Sequence, residues 1–227
     1  MAVAFDAASS STSSTTFSHT VSGANTLLVV TTHGYWAGST TATATGVTYA
    51  GAAMTEMTGS GIRQTGGGSS SIYSQLWYKI APAGGANNII VTFSAAPTDY
   101  ANGGISFTGV DQTTGVNGYQ EATITTGAPT AVTITSAVGD MTTTGLGTWH
   151  DNGDTTSQTL RWDQSPVGDN FGSEGDTAAG AATVTHTWTR DGADDDWTTL
   201  VGCNVIAAAG GVTTRRYSLP LTGMGLI

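Results

Sequence analysis

The stretch that best indicates the fold is Ile72-Tyr-Ser-Gln-Leu-Trp-Tyr-Lys-Ile80. Successive side chains of an extended strand point to opposite faces. One face of a strand here would carry Ile72, Ser74, Leu76, Tyr78 and Ile80, and the other Tyr73, Gln75, Trp77 and Lys79. A second run, Leu27-Leu-Val-Val30, is continuously apolar, which is typical of a central strand covered on both faces.

Further short runs with strand character are separated by turn residues along the whole chain. They cover residues 16–21, 27–33, 47–49, 53–57, 72–80, 88–93, 104–110, 131–135, 141–148, 159–162, 182–188 and 197–206. The chain therefore predicts an all-β protein, a two-sheet antiparallel β-sandwich. Segment 76–110 also aligns without gaps on 171–205, which indicates one hairpin geometry used twice. Two halves of a sandwich or two tandem domains would both produce this echo.

Composition agrees with an all-β chain. Of 227 residues only 10% are charged and 32 are glycine, while strong helix formers are scarce. The short connection across 111–120 favours one sandwich domain over residues 1–209. Residues 59–71 and 162–181 look irregular, the first as a flexible loop and the second as a long Asp/Gly-rich excursion. Residues 210–227 follow a Gly-Gly hinge and predict an extended C-terminal arm that packs on its own domain or on a neighbouring subunit.

Charge and hydropathy exclude several classes of function. The net charge is −10, and six Lys and Arg residues cannot form the basic footprint that nucleic acid requires. No run of 18 apolar residues predicts a membrane span. The single cysteine, Cys203, is expected to be a buried inert thiol. The N-terminus resembles no signal peptide, so we expect synthesis and folding in a cytoplasm.

No catalytic, cofactor or metal site is predicted. The four histidines, His19, His33, His150 and His186, are far apart in sequence, and an enzyme would need His and Asp side chains to converge in a cleft. Residues 191–196 are acidic but lack the alternating spacing of a Ca²⁺ loop. Exposed aromatic rings can stack on sugars, and Trp36 and Trp149 are the candidates for glycan contact because both could lie on loops.

Several phrases, in their order, resemble a β-sandwich module of phage structural proteins that also occurs in bacterial surface proteins. They are Ser22-Gly-Ala-Asn-Thr-Leu-Leu-Val-Val30, Val47-Thr-Tyr-Ala-Gly-Ala-Ala-Met54, Leu76-Trp-Tyr-Lys-Ile-Ala-Pro-Ala-Gly84, Asn88-Ile-Ile-Val-Thr-Phe93, Ile105-Ser-Phe-Thr-Gly-Val-Asp-Gln112, Val138-Gly-Asp-Met-Thr142 and Val184-Thr-His-Thr-Trp188. The resemblance spans roughly residues 17–207. It implies a jelly-roll-like accessory domain for attachment or display, of the capsid decoration (cement) or fibre type, with no catalytic residues.

The expected function is therefore that of a non-enzymatic phage virion protein, a capsid decoration protein on the outer surface of the shell, made in the host cytoplasm. Its partners would be the major capsid protein or another virion protein and further copies of itself, without nucleic acid or membrane. Candidate anchor residues in the arm are Arg215, Arg216, Tyr217, Leu219 and Leu221. The alternative is a carbohydrate-binding or adhesin module in a head or tail fibre.

Overall fold

Antiparallel β-strands build the entire described part of the chain. The computed structural model describes residues 1–57, 59, 61–66, 69–124, 130–149, 154–167, 171–189 and 197–209, with the backbone alone for 165–167. Eighteen strands and no α-helix lie within these ranges, and each strand pair is antiparallel. The prediction of an all-β antiparallel fold is confirmed. The arm, 210–227, lies outside the described residues.

The first half of the chain forms two sheets. The N-terminal inner sheet has the order β1 (Ala4–Thr12), β10 (Asp99–Thr108), β3 (Leu27–Trp36), β8 (Ser71–Ile80) and β6 (Thr55–Glu56), and β7 (Ile62–Thr65) also pairs with β8. The N-terminal outer sheet has the order β2 (Thr16–Val21), β9 (Gly85–Phe93), β4 (Ala44–Tyr49) and β5 (Ala52–Ala53).

The second half repeats this topology. The C-terminal inner sheet has the order β11 (Val116–Ile124), β18 (Thr198–Val205), β13 (Met141–Trp149), β16 (Phe171–Ala179) and β15 (Thr159–Val167). The C-terminal outer sheet has the order β12 (Thr130–Thr135), β17 (Thr183–Thr189) and β14 (Thr155–Thr156). The strand registers make Ile72 of β8 equivalent to Phe171 of β16. The gapless alignment instead placed Leu76 on Phe171. The internal repeat is therefore present in the fold, but its register differs from that of the alignment.

The four sheets stack as layers, with the two inner sheets face to face in the centre. One apolar cluster joins both inner sheets and includes Leu76, Phe107 and Val201. A second cluster joins the N-terminal inner and outer sheets, and a third does the same in the C-terminal half. Every residue of β3 and β18 is therefore buried, whereas β2 and β12 alternate between buried and exposed residues. A sheet covered on both faces needs no polar alternation.

The face assignment for residues 72–80 agrees with the structure. Leu76 packs in the central cluster between the inner sheets, while the next residue, Trp77, packs in the cluster beneath the N-terminal outer sheet. The continuously apolar run at the start of β3 is likewise covered on both sides, because Leu27 and Val29 face the centre while Leu28 and Val30 face the outer sheet.

Four segments differ from the sequence interpretation. Residues 162–181 are not an irregular excursion, since they contain most of β15 and all of β16, which is buried on both faces. Residues 111–120 contain the start of β11, and 59–71 contain β7. Residues 4–12, which carried no strand prediction, form β1. β1 and β16 are rich in Gly, Ser, Ala and acidic residues, so their own propensity for β structure is low, and pairing with neighbours decides their conformation.

Candidate functional site

The sequence places the candidate anchor residues in the arm, and the described structure shows where that arm begins. We call the end of the molecule formed by the turns 22–26, 81–84, 109–115, 136–140 and 206–209 the base. Here the amino terminus of Met1 donates to the carbonyl of Ala208 over 2.9 Å, and the amide of Val3 donates to the carbonyl of Gly139. Both ends of the described chain therefore lie together at the base. Arg215, Arg216, Tyr217, Leu219 and Leu221 lie outside the described residues.

Trp36 lies at the opposite end of the molecule, which we call the loop end because it carries loops 13–15, 37–43 and 94–98. Its side chain is only 2% exposed. The indole nitrogen donates to the carbonyl of Ala95 over 3.1 Å, and the ring contacts Phe93 edge-on and the guanidinium of Arg63. Trp36 is a packing residue at the end of β3, so this ring offers no free face to a sugar.

Trp149 also lies at the loop end, and it is partly exposed. Its ring stacks on Tyr35 with 3.9 Å between ring centroids, and Trp197 lies nearly parallel to it at 6.3 Å. The ring of Trp197 in turn lies directly against Gly66, where a Cβ atom would overlap it. The rings join the two inner sheets, and Trp149 has at least one face covered by Tyr35. Sequence reasoning did not foresee this stack, because its members come from strands that are distant along the chain.

The second half contains a buried hydroxyl, imidazole and carboxylate in contact. The Oγ1 of Thr142 lies 2.8 Å from Nε2 of His186, and Nδ1 of His186 lies 2.7 Å from Oδ1 of Asp176. The Asp176 carboxylate also accepts from the hydroxyls of Thr144 and Thr156. This order of groups is the order that activates a nucleophile in hydrolases. However, the side chains of His186 and Asp176 are both 0% exposed, so the group lies in the core between two sheets and not in a cleft.

The other two described histidines are also core residues. His33 is 0% exposed, and its Nδ1 lies 2.5 Å from the hydroxyl of Ser74. Burial lowers the pKa of His33 to about 3, and burial likewise lowers the pKa of His19 to about 4. Both imidazoles are therefore neutral at pH 7. His150 lies outside the described residues.

Metal-ligand geometry is absent from the described residues, where no group of three or more His, Cys, Asp or Glu side chains is placed to hold an ion. The acidic segment 191–196 lies outside the described part. Cys203 is free and buried, as predicted, and burial raises the pKa of its thiol to about 12.

The exposed faces of the two outer sheets are free of charged residues. The C-terminal outer sheet presents Ala131, Thr133, Thr135, Thr155, Thr183, Thr185, Thr187 and Thr189, and the hydroxyls of Thr133 and Thr185 are 2.9 Å apart. The N-terminal outer sheet presents Thr16, Ser18, Thr20, Ala86, Asn88, Ile90 and Thr92. Such faces offer hydrogen bonds without charge. The alternating threonines of residues 183–189 signal this pattern in the sequence, although the sequence interpretation did not use it.

Within the described ranges, no helix has the length and apolar character needed to cross a membrane. No protein-family model, curated protein or solved structure matches this chain.

Proposed function

We propose that this chain is a non-enzymatic structural protein of a phage particle, a capsid decoration protein attached to the outer surface of the shell. The observation that carries the proposal is the position of the chain ends. The hydrogen bond between Met1 and Ala208 holds the point where the arm begins at the base, while the aromatic stack around Trp149 occupies the opposite end. An arm leaving the base can reach a shell and leave the loop end facing outward.

The arm has the chemistry of an anchor. Arg215 and Arg216 are two of only six basic residues in a chain with net charge −10, and guanidinium groups bind carboxylates in a bidentate manner. Leu219 and Leu221 add apolar surface, which stabilises an interface when it is buried. The partner would therefore be a shell protein with acidic groups beside an apolar pocket, and many copies would bind to one particle.

The body fits a passive attachment role. Its inner sheets are covered on both faces, and the Thr142, His186 and Asp176 group is closed to substrate. A rigid body of this kind can add mass and contacts to a shell without chemistry.

The experiment is mass spectrometry and cryo-EM of purified phage particles from the source strain. We expect the chain in many copies per particle on the outer surface of the capsid. The variant R215A/R216A/L219A/L221A should lower its copy number at least about tenfold while its melting temperature stays unchanged. The matched control is I90A/L160A, which removes two exposed apolar side chains from the body and should keep normal copy number. Absence of the chain from particles would reject the proposal.

A carbohydrate-binding or adhesin module is the second candidate, and the partly exposed ring of Trp149 at the loop end favours it. This candidate requires glycan binding by the purified protein that is lost in Trp149→Ala and retained in Trp36→Phe. If no glycan binds on a broad array, only the structural role remains.

A further inference from the structure

The two halves of the chain meet along a local two-fold axis. In β3 and β13, which occupy the same position in their sheets, three residues that face the centre of the molecule lie against their own counterparts. Tyr35 stacks on Trp149, a Cβ on Gly147 would lie 3.0 Å from Nδ1 of His33, and a Cβ on Gly145 would lie 2.7 Å from Thr31. Only an axis running between the two strands brings equivalent residues together in this way.

The strand boundaries and registers agree with these equivalences. Leu27 begins β3 and Met141 begins β13, so His33 and Gly147 have the same position in their strands. His33 pairs with Ser74 on one side and Ala101 on the other. Gly147 pairs with Ser173 and Thr199 at the same positions. Contact between like surfaces across a two-fold axis is the geometry of an isologous dimer, here between two parts of one chain.

The contact is symmetric in backbone but not in side chains. The N-terminal half supplies Thr31 and His33 at the axis, where the C-terminal half supplies Gly145 and Gly147. Two imidazoles could not both occupy this space, since even a Cβ on Gly147 approaches His33 and Ser74 to 3.0 Å. The glycines therefore form the space that the larger side chains fill.

Ser173 provides a second observation that supports the same conclusion. Ser74 binds the imidazole of His33 and the hydroxyl of Thr199. Its counterpart Ser173 is 0% exposed, and its hydroxyl has no hydrogen-bond partner among the described residues. A buried hydroxyl without a partner is uncommon. Ser173 lies where it could bind a histidine at position 147, as Ser74 binds His33, but residue 147 is glycine.

We infer that the two halves are copies of one sandwich module whose inner face is a two-fold self-association surface, and that His33 opposite Gly147 now selects pairing between unlike halves. The partner that each inner face fits is thus a second copy of the same module. Large side chains in one copy and glycine in the other disfavour pairing of two identical halves, because two N-terminal halves would clash and two C-terminal halves would leave a void. This inference does not depend on the proposed function.

The test exchanges the two residues across the axis in the full chain. H33G leaves a void and G147H forces two rings into one space, so each should lower the melting temperature by roughly 5–15 °C. In H33G/G147H the ring occupies the symmetric position beside Ser173. We expect the double variant to recover at least half of the summed loss, and its crystal structure to show an imidazole bonded to Ser173. A milder pair, T31G/G145T, tests the same axis if the histidine variants do not fold.

The matched control is L28T/T142L. Leu28 and Thr142 are also equivalent and fully buried, but they face opposite outer sheets and never meet. Their effects on the melting temperature should therefore simply add. The inference is overturned if G147H alone is tolerated, if neither exchanged pair is more stable than its worse single variant, or if the control recovers to the same extent.

Discussion

Replacing Asp176 by alanine should be among the most damaging single changes in the described chain. The carboxylate is fully buried. It holds Nδ1 of His186 at 2.7 Å and accepts hydrogen bonds from the hydroxyls of Thr144 and Thr156. In the alanine variant these three hydrogen-bonded groups lose their partner, and each buried group left without one costs about 1–3 kcal/mol. Thr144 and Thr156 still accept hydrogen bonds from Trp188 and from the amide of Gln158, but their own hydroxyl protons lose the carboxylate oxygens. Thr156 is only partly buried, which lowers its share of the cost.

The expected loss in Asp176→Ala is therefore about 4–6 kcal/mol, a large share of the roughly 5–15 kcal/mol that stabilises a typical domain. The assay is urea unfolding at pH 7, followed by tryptophan fluorescence. Asp176→Asn, which keeps one oxygen acceptor, should lose less. The control is Asp163→Ala in the neighbouring strand β15, where the side chain is exposed and the change should stay within about 0.5 kcal/mol. A loss below about 1 kcal/mol in Asp176→Ala would show that this carboxylate does not organise the core of the second half.

Two further predictions concern buried titratable groups. Because burial lowers the pKa of His33 from 6.5 to about 3, the unfolded chain binds a proton below pH 6.5 that the folded chain does not. The free energy of unfolding should fall by about 1.4 kcal/mol per pH unit from this group as pH drops from 6.5 towards 4. In His33→Asn this part of the slope should vanish, and equal slopes in both proteins would contradict the assignment. The thiol of Cys203, whose pKa burial raises to about 12, should not react with a maleimide at pH 8 until the protein unfolds. Complete labelling of the native protein within minutes would show that the thiol is accessible.

The sequence predicted those elements whose own residues carry a period of two or a continuous apolar run. Residues 72–80 alternate, and each face meets the layer that the alternation requires. The buried thiol of Cys203 followed from its apolar neighbours. These predictions succeed because burial of a strand face is decided by the residues of that strand.

Strand β16 was not predictable in this way. Its sequence, Phe-Gly-Ser-Glu-Gly-Asp-Thr-Ala-Ala, contains two acidic residues and two glycines, which as a local pattern indicates a loop. In the fold it is a buried strand between β13 and β15, where Asp176 meets His186 and Gly175 accommodates the ring of Trp162. Asp176 is bonded by Thr144, Thr156 and His186 from other strands, so no pattern within β16 could reveal it.

The candidate site residues show the same difference between local sequence and tertiary contacts. That Trp36 is a tryptophan near a strand end was visible in the sequence, but its burial depends on Phe93 and Arg63 from other strands. The number and stacking of the sheets, the pairing of His33 with Gly147 and the meeting of both chain ends at the base were likewise decided only in three dimensions. Alternation and apolar runs within single segments were enough to predict antiparallel strands with a buried apolar face. The tertiary structure decided which strands are covered on both sides, because that depends on which sheet lies opposite.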